Sequence, residues 1–167
     1  QISPIKSLAT LPMSISVVGI AIGAIIATRV MSLIGRKYGF ILASIGNTLF
    51  SILAAYSIYS QNFILFCFAN VFIGIGMAFT HQYRFAAAES VNKEMAPKAI
   101  SIILFGGIIS AFLGPSLANF SKDLISENLY VGSYLALALL TFIPSILFLF
   151  YEDKSKFAIN LQYKGRS

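Results

Sequence analysis

An all-α, polytopic membrane bundle is the fold class this chain predicts, and three observations predict it. Hydrophobic residues make up 57% of the sequence and charged residues only 11%, with a mean hydropathy of +0.83; soluble domains carry roughly a quarter charged residues. The apolar residues fall in long runs, and a spanning helix needs about 20 of them. Those runs lack the period-2 alternation of an outer-membrane barrel. Open strands are excluded as well, because lipid offers backbone N–H and C=O groups no partner.

Five spans follow in order, at roughly 8–33, 39–59, 62–86, 99–119 and 130–151. The first carries Gly19, Gly23 and Ala27 at four-residue spacing, a stripe that lets another backbone approach closely. A short basic break, Gly35-Arg36-Lys37-Tyr38-Gly39, separates it from the second. The link Ser60-Gln61-Asn62 is so short that the second and third spans must be antiparallel neighbours. Pro97 suits the first turn of the fourth span, where its missing N–H costs nothing. That span repeats the small-residue stripe with Gly106, Ser110 and Gly114, and Pro115 cannot donate to the carbonyl of Ala111, so a kink or loosening is expected there. Both stripes fit static packing or a sliding, gating surface. Residue 1 is Gln, no leader pattern is present, and the last stretch is polar and basic, so truncation at both ends is expected.

Lys and Arg in short loops are retained on the cytoplasmic side. Arg29, Arg36, Lys37, Arg84, Lys93, Lys98, Lys154, Lys156, Lys164 and Arg166 share one face of the expected topology, and only Lys6 and Lys122 lie opposite. The N-terminus is therefore expected outside and the C-terminus inside, in a bacterial cytoplasmic (inner) membrane. This sidedness accounts for the net charge of +6 without nucleic acid as a partner. Cys67, the single cysteine, can form no intrachain disulfide.

The third span holds the sharpest pattern. Asn70, Gly74, Met77, His81 and Arg84 follow at i, i+4, i+7, i+11 and i+14, on one helical face that should look into protein or water. Asn70, deep in the span, reads as a cavity-lining group or as interhelical glue. His81 and Arg84 sit close enough to the end to anchor at the interface. Asn47, Thr48, Tyr134 and Thr141 add polar groups within spans, and all six carboxylates fall in or beside loops. A proton-carrying acid, if one is used, is expected elsewhere in the protein. An enzyme with His81 as base is rejected, since no nucleophile, metal pair or nucleotide loop accompanies it.

The segment from Arg29 to Gly39 resembles the loop between the second and third helices of the major facilitator superfamily, which reads Gly-x-x-x-Asp-Arg-x-Gly-Arg-Lys. Gly35, Arg36 and Lys37 match, while Thr28, Ser32 and Leu33 stand at the first Gly, the Asp and the first Arg. The stretch around Asn70 is similar to a fourth-helix Arg-x-x-x-Gly-x-Gly pattern, keeping Gly74 and Gly76 with Asn70 in the Arg position. Gly106, Gly114 and Pro115 are similar to a Gly-rich fifth-helix motif ending in Gly-Pro, without its trailing Gly pair. The resemblance implies that the five spans are helices two to six of an amino-terminal six-helix half, and that residues 152–167 begin the central cytoplasmic loop. Helix one and a carboxy-terminal half of the same chain would complete it. It further implies that the fourth helix lines the central cavity, and that helices two and five meet the other half at a moving interface. Arg36 and Lys37 are expected to pair with Glu89 as a conformational latch.

The function so implied is secondary transport of a small molecule by alternating access, coupled to protons or another ion, with no catalysed reaction, cofactor or metal. The rival from a different class is a helical accessory or assembly subunit of a membrane complex. Cargo, coupling mode and oligomeric state are not legible.

Overall fold

In a computed structural model, which describes residues 10–122 and 130–150, the chain is helical throughout its ordered elements. These are α1 (Leu11–Ile34), α2 (Arg36–Tyr59), α3 (Phe63–Thr80), α4 (Tyr83–Glu89), α5 (Ala96–Ser121) and α6 (Val131–Leu149). Counting α3 with α4, five helical segments are long and apolar enough to cross a membrane, with mean hydropathies from 1.6 to 2.2. The stretch 152–167, expected to open a central loop, lies outside the described residues.

Local chemistry sets the joints. α1 passes into α2 through Gly35 alone, at φ 89° and ψ 162°, where its N–H donates to Met31 O at 3.1 Å. A side chain there would be strained, so glycine permits a turn of one residue. The second helix consequently starts at Arg36 rather than 39. Between α2 and α3, Gln61 takes a left-handed φ of 55°, and the Asn62 side chain caps α3 by accepting from Leu65 N at 3.0 Å. Pro97 lies in the first turn of α5, which runs on unbroken past Pro115. Tyr130, left-handed at φ 76°, leads into α6.

The third span departs from the sequence expectation. It is interrupted at His81–Gln82, so α3 ends at Thr80 and a short α4 follows. Of the five residues placed on one face by a continuous 3.6-residue period, Asn70, Gly74 and Met77 therefore lie on α3, His81 in the break and Arg84 on α4.

α3 is the central element, packed on α1 and α2, while α2 also packs along α6. The α1–α3 contact is backbone to backbone. A Cβ on Gly19 would overlap the Val71 carbonyl and lie 3.3 Å from Gly74 Cα, and one on Gly23 would lie 2.6 Å from Ile75 O. Ala27 of the same stripe is fully buried. The α2–α6 seam is polar instead. Ser44 Oγ donates to the Thr141 carbonyl, Ser145 Oγ donates to Ser44 Oγ at 2.9 Å, and the hydroxyls of Thr48 and Thr141 lie 3.2 Å apart. Hydrogen bonds of this kind hold helices together where lipid supplies no hydrophobic drive. At the Gly35 end, Phe40 packs edge-on to Tyr83 at 4.9 Å and against Phe148 at 4.9 Å, tying α2, α4 and α6.

α5 is the exception. It meets α4 and α6, yet residues 101–120 are exposed throughout, and only Ser121 of this helix is buried.

Candidate functional site

A cavity of about 380 Å³ opens where α3, α5 and α6 converge. Asn70, Ile73 and Met77 line it from α3, Gly114 and Leu117 from α5, and Tyr134 and Leu137 from α6, with Ser16 of α1 at the margin. No side chain of the described residues in its wall is charged at neutral pH. Among the described residues, no group of three or more His, Cys, Asp or Glu side chains converges anywhere.

Its polar centre is a pair. Asn70, buried and one turn from Phe66 on α3, donates through Nδ2 to the Phe66 carbonyl at 2.8 Å. The Tyr134 hydroxyl of α6 donates to Asn70 Oδ1 at 3.3 Å. These two bonds fix which end of the carboxamide is oxygen, since a carbonyl can only accept and the phenol needs an acceptor. Tyr134 is itself held by Phe66, whose ring stands edge-on to it at 5.4 Å. The site is thus braced from below by the core cluster of Ala54, Ala69 and Ile73, on which Phe66 and Tyr134 pack.

Of the residues singled out on the third span, Asn70 and Met77 reach this cavity. Gly74 instead faces α1, where a Cβ would come within 3.1 Å of Ser16 Cα. His81 lies at the helix break and Arg84 beyond it on α4; both are exposed, neither lines the cavity, and Arg84 rests over the Phe85 ring at 5.0 Å. Of the fourth-span residues, Gly114 lines the cavity, while added Cβ atoms at Gly106 and Gly114 would meet nothing within 4 Å. Ser110 turns its hydroxyl onto its own helix at Gly106 O, 2.9 Å away, and Pro115 lies outside the cavity wall. The stripe on α1 is not open for gating contacts, because α3 occupies it.

Tyr134 is the partner of Asn70 that the sequence does not pair with it. It was visible as a polar group in an apolar span, but its pairing with a residue 64 positions away is a tertiary fact.

The basic break also resolves into distinct roles. Arg36 Nη2 pairs with Glu89 Oε1 at 2.5 Å, linking the start of α2 to the end of α4. Lys37 does not join that pair; its Nζ donates to Leu149 O at 2.7 Å. A cation so placed satisfies a carbonyl left over at the C-terminus of α6 and complements its dipole. Beside Arg36 lies a second cavity of about 210 Å³, lined by Thr28, Met31, Ser32 and Gln82.

Residues 4–165 match the model of the Major Facilitator Superfamily. The chain belongs to this superfamily. Among curated proteins, the riboflavin transporter RfnT of Brucella anthropi (strain ATCC 49188) is 31% identical over 140 residues, which cover 84% of this chain. The aligned part spans 35% of that relative's length. No solved structure matches. Membership in the Major Facilitator Superfamily and five membrane-competent helices make this an integral membrane protein.

Proposed function

We propose that this protein is a secondary transporter that moves a neutral, hydrogen-bonding small molecule by alternating access, with riboflavin as the first candidate. The observation that carries the proposal is the uncharged cavity centred on the Asn70–Tyr134 pair. A charged substrate group would lose its hydration there without gaining a partner, at a cost of several kcal/mol. A neutral substrate meets amide and phenol groups at hydrogen-bonding distance and apolar walls elsewhere, which is the usual make-up of a small-molecule site. The relative's substrate, riboflavin, is neutral and polar and has a planar ring.

Within this reading, the cavity is the part of a midplane site contributed by one six-helix half, and the remainder comes from a carboxy-terminal half of the same chain. The basic residues at the Gly35 end support a cytoplasmic position for that end, with the first described helix entering from outside. The Arg36–Glu89 pair holds α4 against α2 as a latch in one of the two access states. Coupling to a proton or another ion drives net flux in this reading, and among the described residues no carboxylate lines the cavity.

The test is uptake by the full-length protein in proteoliposomes carrying an imposed proton gradient, with riboflavin and a pooled set of neutral and charged metabolites as cargo. Gradient-driven flux of any of these supports transport. Flux that is confined to charged compounds would overturn the neutral-substrate reading.

A further inference from the structure

We infer that Asn70 reads a lactam or imide edge on a planar ring, and that Tyr134 is the residue positioning it for that task; this rests on the transporter reading above. A carboxamide has two N–H donors and two acceptor lone pairs. In Asn70 one N–H is taken by the Phe66 carbonyl and one lone pair by the Tyr134 hydroxyl. One donor and one acceptor of the carboxamide therefore remain uncommitted, on a residue that lines the cavity. That donor–acceptor edge is self-complementary to the N–H/C=O edge of a cyclic amide or imide, which it can engage through two parallel hydrogen bonds.

The surroundings favour the same ligand class. Ser16 and Ser133, the serines in the wall, already donate their hydroxyl hydrogens to Met13 O at 2.7 Å and Ala118 O at 2.6 Å. Of the described residues in the wall, Asn70 thus keeps an uncommitted donor and an uncommitted acceptor on one planar group, whereas Tyr130 offers a single hydroxyl. Its plane is held from two helices, so the edge is presented without the ordering cost that a free side chain would pay on binding. The isoalloxazine ring of riboflavin carries such an edge, an N3–H flanked by carbonyls. Sugars, amines and carboxylates carry none.

The experiment compares riboflavin with 3-methylriboflavin, in which a methyl group replaces the reading-edge hydrogen, as competitors for riboflavin uptake by the full-length protein. The wild-type protein is expected to take the methylated analogue about tenfold less well, the worth of one good buried hydrogen bond and the clash that replaces it. In Asn70→Leu the two flavins should compete within about twofold of each other, whereas a merely structural role for Asn70 would depress both equally and preserve their ratio. Tyr134→Phe, which frees the carboxamide to rotate, should lower discrimination between the two flavins toward that of Asn70→Leu. Equal competition by both flavins in the wild-type protein overturns the inference and leaves the transporter reading standing. Absence of transport and binding of every flavin by monodisperse protein overturns the inference and removes riboflavin as cargo, while the transporter reading then stands or falls on the pooled metabolites.

Discussion

α1 and α5 carry the same small-residue spacing and use it in opposite ways. Along α1, Gly19, Gly23 and Ala27 are buried against α3, and an added Cβ at either glycine would strike backbone atoms of α3. Along α5, Gly106, Gly107 and Gly114 meet nothing within 4 Å, although that helix is as apolar as its neighbours. A small-xxx-small stripe thus declares that a backbone is permitted to come close. It does not say which one comes, and whether the surface is fixed or free depends on the neighbour.

The largest effect should come from filling the α1 stripe. Gly23→Leu would force α1 off α3 against Ile75 and Ala78, and overpacking of this kind costs about 3 kcal/mol or more. Thermal unfolding of the purified full-length protein should show a large loss, or the variant should fail to accumulate. Gly106→Val is the matched control on α5. A change below about 1 kcal/mol there is the expected result for an open face, and a loss as large as that of Gly23→Leu would mean that another part of the protein closes on the stripe.

A second contrast lies between the uncharged cavity and the charged Gly35 end. Phosphorylated riboflavin should compete for uptake at least about tenfold less well than riboflavin, since its phosphate has no counter-charge in the wall. Equal competition would place a cation from elsewhere in the protein beside the cavity.

The smallest effect is expected at Arg36 and Glu89. The Glu89 side chain is 54% exposed, so solvent screening keeps the pair to about 1 kcal/mol or less. Arg36→Glu should alter stability by no more than this while changing the rate of transport, and the double variant Arg36→Glu with Glu89→Arg should recover it. Full activity of the single variant would remove the latch.

The sequence made the class, the five spans and the family legible because lipid imposes length and hydropathy on every element. It also marked Asn70, since an amide deep in an apolar helix is costly without a role. The break at His81–Gln82 was hidden, as neither residue is a helix breaker, and the 3.6-residue pattern ran through it to Arg84. The splitting of Arg36 from Lys37 was hidden too. Both are adjacent cations in one motif, yet the end of α6 lies where Lys37 reaches Leu149 O and the end of α4 where Arg36 reaches Glu89. Tyr134 joined Asn70 through packing of α6 beside α3, which no local pattern encodes.

The measurement that bears most directly on the cavity as a transport site is riboflavin uptake into proteoliposomes by the full-length protein and its Asn70→Ala variant, with Gly106→Val as the distant control. Gradient-driven uptake that falls about tenfold in Asn70→Ala, the loss expected from one good buried hydrogen bond, and persists in Gly106→Val is the predicted result. Uptake undiminished by Asn70→Ala would contradict the account.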